Sequence, residues 1–67
     1  GNGVFAYIEG DVLYIKNISE FSSYAVGNSI RTLYSGESDG SVLTLPVIEK
    51  GMYWIKVGNQ TIKLIKK

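Results

Sequence analysis

The chain has 67 residues, enough for one domain (residues 1–67) with a small core, since a domain of this size buries only about 60% of the surface its unfolded chain exposes. Cysteine and histidine are both absent, which removes disulfides, thiolate chemistry, an imidazole base and ordinary transition-metal clusters, and with them most catalytic templates. Seven basic side chains against six acidic ones leave a net charge of +1, too little to draw nucleic acid or an anionic membrane strongly, and no apolar run approaches the roughly 20 residues that span a bilayer.

Glycine followed by a short polar residue punctuates the chain three times. Gly10-Asp11 separates VFAYIE (4–9) from VLYIKNI (12–18). Glycine at the first central position of a two-residue loop suits a type II′ turn, whose twist matches that of the flanking strands. Such a turn also sets the register, because residues equidistant from it lie opposite one another. Ile8 is then expected to face Leu13 and Ala6 to face Ile15 on an inner side, with Tyr7 opposite Tyr14 and Phe5 opposite Lys16 on the outer side. Gly27-Asn28 divides SSYAV (22–26) from SIRTLY (29–34) in the same way and predicts a second hairpin.

After a polar loop expected over SGESDGS (35–41), VLTLP (42–46) reads as a short strand that Pro46 ends or places at a sheet edge. VIEKG (47–51) turns the chain into the last hairpin, MYWIKV and QTIKLIKK around Gly58-Asn59. Its expected pairs are Tyr53 with Leu64 and Ile55 with Ile62 on the core side, then Met52 with Ile65, Trp54 with Lys63 and Lys56 with Thr61 on the other. No stretch carries a helical stripe, and β-branched or aromatic residues fill every run. The expected fold is all-β: a small antiparallel immunoglobulin-like β-sandwich of about seven short strands built from three tight hairpins.

The candidates for chemistry are thin. Glu37 and Asp39 offer too few oxygen ligands for calcium, which takes six to eight, and Glu9 and Asp11 flank a turn with no pocket around them. Gly36-Glu37-Ser38-Asp39-Gly40 spells G-x-S-x-G, but a nucleophile elbow needs a helix after the serine and a base to take its proton, and the chain has no histidine. Asn17-Ile18-Ser19 and Asn59-Gln60-Thr61 match the N-glycosylation tripeptide, a pattern too short to carry weight. The reading is a non-enzyme with no catalytic, metal or cofactor-binding residues.

Aromatic and basic side chains are the better candidates for recognition. Phe5, Tyr7, Tyr14 and Trp54 fall on the outer sides of their hairpins, where rings stack on sugars or pack against neighbouring side chains. Trp54 beside Lys63 is placed for a cation–π attraction. The expected ligand or partner surface comprises Tyr7, Tyr14, Trp54, Lys56, Lys63, Lys66 and Lys67, with all four lysines in water. A polysaccharide- or peptide-binding module would present Tyr7, Tyr14 and Trp54 on one surface, whereas a small nucleic-acid-binding barrel is opposed by the scattered basic residues.

The ending LTLPVIEKGMYWIKVGNQTIKLIKK resembles that of the small C-terminal modules of secreted and surface proteins of Bacteroidetes, above all the type A sorting domain of the type IX secretion system. The matching positions are Leu43, Leu45, Gly51, Tyr53, Ile55, Lys56, Val57, Lys63, Lys66 and Lys67. DVLYIKN and SIRTLYSG correspond to earlier strands of that family, so the likeness spans residues 11–67. The Pro-Asn-Pro that the family carries ahead of its first strand is replaced by Val4-Phe5-Ala6-Tyr7.

The resemblance implies a noncatalytic module for sorting, anchoring or assembly of an exported or cell-surface protein. Its partners would be the secretion or surface-anchoring machinery and the upstream domains of a parent protein, and its location would be secreted or cell-surface. The opening Gly1-Asn2-Gly3, without an initiator methionine, is expected to mark a segment cut from a larger protein whose natural C-terminus is Lys67.

Overall fold

Two glycine turns and the alternation of side chains between the two faces of each strand set the register of this chain. The computed structural model describes residues 3–67; Gly1 and Asn2, the start of the opening tripeptide, lie outside the described residues. Seven strands follow in order: β1 (Phe5–Glu9), β2 (Val12–Lys16), β3 (Ser23–Asn28), β4 (Thr32–Glu37), β5 (Leu43–Pro46), β6 (Gly51–Val57) and β7 (Gln60–Lys66). They form two antiparallel sheets, β1-β2-β5 and β4-β3-β6-β7, and no helix is present among the described residues. This division of strands is that of an immunoglobulin-like sandwich in which the fourth strand lies on the edge of the second sheet.

Gly10 and Gly58 adopt φ values of 60° and 57°, the left-handed region that the first central position of a type II′ turn requires. Both hairpins consequently have the expected pairs. Ile8 faces Leu13 and Tyr7 faces Tyr14, while Tyr53 faces Leu64, Ile55 faces Ile62 and Trp54 faces Lys63. The short strand ending at Pro46 forms as β5, pairs only with β2 and so lies at a sheet edge, where the missing proline N–H costs nothing.

Alternation then sorts side chains between the inside and the outside of the sandwich. Leu13 and Ile15 of β2 meet Val26 of β3 and Tyr53, Ile55 and Val57 of β6, with Ile18 and Val47 from the connections closing the cluster. Each such fully buried aliphatic side chain contributes roughly 1.5–3 kcal/mol, so a core of eight residues leaves little redundancy. Ile62 and Leu64 share this inner row but are only half-buried, because β7 is an edge strand. Tyr53 adds a polar tie: its hydroxyl donates to the Glu49 carbonyl at 2.5 Å, the tyrosine corner of immunoglobulin-like folds, which clamps the β5–β6 connection to the start of β6.

The middle hairpin forms, but not around Gly27-Asn28. Strand β3 runs through both residues, and the loop is 29–31. Asn28 closes it: its side-chain oxygen accepts from the backbone N–H groups of Ile30 and Arg31, both at 2.9 Å, and its own N–H donates to the Arg31 carbonyl. Val26 pairs with Tyr34 but Gly27 with Thr32, leaving Leu33 as the extra residue of a β-bulge in β4.

Gly27 is needed for a different reason from the turn glycines. A Cβ there would lie 2.3 Å from Cζ2 and 2.6 Å from Cε2 of the Trp54 indole and 2.7 Å from the Arg31 carbonyl oxygen. Glycine here admits a ring against the backbone, and a sequence pattern alone does not distinguish that need from a positive φ.

The segment SGESDGS is likewise less of a loop than its composition suggests. Ser35, Gly36 and Glu37 belong to β4, and Ser38 is buried. The Ser38 N–H donates to the Ser22 carbonyl at 2.8 Å, and its carbonyl accepts from Phe21 N–H at 2.7 Å. These bonds extend strand-like pairing past the end of β4 and hold Phe21 at φ 68°, a value uncommon for a bulky residue.

Replacing Gly27 with alanine tests the glycine's role. The added methyl must displace an indole held by its own hydrogen bond, so Gly27→Ala is expected to cost about 1–3 kcal/mol in denaturant unfolding, with a red-shifted Trp54 emission. The same substitution would be nearly neutral if the position served only as flexible backbone.

Candidate functional site

Because Leu13 and Ile15 point inward, Tyr14 between them points out from the three-stranded sheet. Because Tyr53 and Ile55 point inward, Trp54 points out from the other. The three candidate rings therefore lie on opposite outer faces of the sandwich, and the single surface expected for Tyr7, Tyr14 and Trp54 does not form.

The two faces also differ in what their rings have left to offer. Tyr7 and Tyr14 stack on each other across the β1–β2 pair, with centroids 5.0 Å apart and planes 18° apart. The Lys16 ammonium sits 5.3 Å from the centre of the Tyr7 ring. This is a cross-strand ladder in which each ring covers one face of the other. The cation–π contact expected for Trp54 and Lys63 is absent among the described residues; Lys16 over Tyr7 takes its place.

Trp54 lies on Gly27, its cross-strand neighbour, and its Nε1–H donates to the Asn28 carbonyl at 3.0 Å. The indole is half-buried, with its Cζ2–Cε2 side against Gly27 of β3. The hydrogen bond and the glycine seat hold it in one orientation.

Three of the four lysines assigned to the surface, Lys56, Lys63 and Lys67, are exposed. Lys66 is not. Its side chain is only 10% exposed, and its ammonium group donates to Asp11 Oδ1 and to the Ile48 carbonyl, both at 2.6 Å. The cause is alternation: Lys66 follows Ile62 and Leu64 on the inward row, and its partner across the ladder is Gly51, which leaves room for the stem. That row was legible in the sequence, and the terminal position of Lys66 masked it.

One end of the sandwich carries an open cleft of about 190 Å³ lined by Asn28, Arg31, Tyr34, Pro46, Ile48 and Glu49, among others. The Tyr34 hydroxyl donates to the Pro46 carbonyl at 2.7 Å across its wall, tying the edge of one sheet to the other. Ile30 and Ile48 stand at this end 83% and 66% exposed. No feature of the sequence reading pointed here, since the cleft is assembled from connections rather than strands.

The remaining motifs resolve into loop chemistry. Ser38 Oγ accepts from Gly40 N–H at 2.9 Å, so the G-x-S-x-G serine braces its own turn. The Ser41 N–H donates to Asp39 Oδ1 at 2.9 Å, and this bond holds the Asp39 carboxyl below its usual range. A carboxyl lowered in the folded state adds stability above its unfolded value that fades as pH falls through the folded one; with Asp39 fully exposed, this contribution is minor. Among the described residues no group of three or more acidic side chains could hold a metal ion, and no helix is long and apolar enough to cross a membrane.

Comparison with protein-family models, curated proteins and solved structures finds no match to this chain.

The Lys66 contacts separate two kinds of loss. Asp11 is 65% exposed, so Asp11→Asn is expected to cost under about 1 kcal/mol, an effect that salt diminishes. Lys66→Ala removes the buried stem and leaves the Ile48 carbonyl without this donor, and is expected to cost about 1–3 kcal/mol at any ionic strength. Urea unfolding of both variants in low and high salt measures the difference.

Proposed function

We propose that this chain is a noncatalytic β-sandwich module that sorts, anchors or helps assemble an exported or cell-surface bacterial protein. Its partners on this reading are the secretion or surface-anchoring machinery and the upstream domains of the parent protein. The observation that carries the reading is the docked terminal hairpin. Strands β6 and β7 pair over their full lengths, Tyr53 and Ile55 anchor them in the core, and Lys66 ties the last strand to Asp11 and to the β5–β6 connection.

These are the positions through which the ending resembles the type A sorting modules: Gly51 opposite Lys66, Tyr53 at the corner, Ile55 and Val57 inward, and Lys56 and Lys63 outward. Val57 packs fully inside the sandwich, so the apolar half of the resembling pattern has a structural use and the lysine half remains largely on the surface. Val4 and Lys66 lie at opposite ends of the sandwich. The Gln60 amide donates to the Val4 carbonyl at one end of the sandwich, while Lys66 meets Asp11 and Ile48 at the other. A domain attached ahead of Val4 would leave the end bearing the cleft, Ile30 and Ile48 facing away from it.

Export tests the proposal. The chain would be fused behind a periplasmic signal peptide and a fluorescent reporter in a Bacteroidetes host, with and without a working type IX system. The expected result is reporter at the surface or in the medium of the competent host only, lost when Tyr53→Ala unfolds the hairpin. Reporter held in the periplasm of both hosts would refute it.

A further inference from the structure

The outer face of the four-stranded sheet has a composition that the core does not explain. Two ladder rows cross it side by side. One runs Lys63, Trp54, Gly27; the other runs Thr61, Lys56, Ala25, Ser35. Trp54 packs on Gly27 and is held through Nε1, and no cation lies over its ring among the described residues. An indole held this way loses no rotamer freedom on binding, and a preorganised ring makes a stronger platform than a mobile one.

Next to the ring the sheet is nearly bare. Ser23, Ala25 and Gly58, with Tyr24 and Lys56, line a shallow hollow of about 180 Å³. It lies about 7 Å along the strand from Trp54, two residues in an extended chain. The depression is shallow and open, with Thr61 opposite Lys56, Ser35 opposite Ala25 and the exposed Glu37 opposite Ser23 at the edge away from Trp54.

Charge narrows the class further. Lys56 and Lys63 are exposed and have neither an ion pair nor a hydrogen bond among the described residues, unlike Lys66. Neither Lys63 nor Lys56 faces a carboxylate across the ladder: their partners are Trp54 for the first, and Thr61 and Ala25 for the second. Two uncompensated ammonium groups thus flank the indole on a molecule whose net charge is only +1.

We propose that this face binds an acidic polysaccharide, one sugar ring lying flat on the Trp54 indole and its carboxylates meeting Lys56 and Lys63. The apolar C–H face of a pyranose matches an indole face, and the ammonium groups supply the donors that an anionic sugar needs. The Tyr7–Tyr14 ladder lies on the opposite sheet, with one face of each ring taken by the other and Lys16 over Tyr7. The site stands independently of the export reading.

Trp54 is the only tryptophan, so its emission reports on the site directly. The protein is titrated with polygalacturonate, alginate and hyaluronate, with neutral dextran and with poly-L-glutamate. The expected result is a saturable change in Trp54 emission with at least one acidic polysaccharide and none with dextran. The Lys56→Gln, Lys63→Gln double variant, folded by circular dichroism, should bind that polysaccharide about tenfold more weakly, a loss that two exposed ion pairs can supply.

Silence with all three acidic polysaccharides would overturn the proposal. So would an equal response to dextran, or unchanged affinity in the double variant. Poly-L-glutamate that shifts Trp54 emission as far and as tightly would also overturn it, because the face would then be reading charge alone and an acidic peptide would be the better ligand.

Discussion

Strand β6 lies between β3 and β7, and its alternation divides the molecule into scaffold and surface. Tyr53, Ile55 and Val57 turn inward to complete a core of eight buried apolar residues, while Trp54 and Lys56 turn outward onto the widest exposed sheet. A slip of one residue in this strand would exchange the two sets, placing an indole and an ammonium group in the core and a tyrosine and two aliphatic side chains in water. The Gly58-Asn59 turn prevents that slip by fixing every pair from Val57 with Gln60 to Gly51 with Lys66.

Polar ties at the ends of the sandwich supplement this small core. At one end Tyr53 bonds to Glu49, Tyr34 to Pro46, Val47 N–H to the Asp11 carbonyl and Lys66 to Asp11 and Ile48. At the other, Ser38 pairs with Ser22 and Phe21, and Gln60 reaches Val4. Each such bond contributes about 0.5–1.5 kcal/mol, modest singly but substantial together for a domain without disulfides. Most of these ties join residues far apart in the chain, so they restrain the connections between strands as well as the strands themselves.

The local features of the fold were readable from sequence, and the nonlocal ones were not. Alternation and the two type II′ turns gave the strands, their registers and the inward rows, because each depends only on neighbouring residues. Gly27-Asn28 misled because the residue that demands its glycine, Trp54, lies 27 positions further on in the chain. The SGESDGS segment misled because its first residues are held by Ser23–Ala25 of β3 and Ser38 by residues 21–22, so its pairing is imposed by a partner strand that its own polar composition does not reveal. At the surface, the sequence placed each aromatic on an outer side but held no information on which sheet would be its neighbour. The split between the tyrosine pair and Trp54 follows from topology, as does the cleft beside Ile48.

These observations describe a scaffold whose β6 and β7 belong to the core sheet, with a tryptophan-bearing face beside Lys56 and Lys63, which have no ion pair among the described residues. The claim most exposed to test is that β6 is the most firmly held element. Native-state hydrogen exchange measures it residue by residue. The account predicts that the amides of Tyr53, Ile55 and Val57 exchange only through global unfolding, with a free energy equal to that from denaturant melts. Exchange of those amides as fast as that of the 29–31 loop would mean that the terminal hairpin opens independently, and would contradict it.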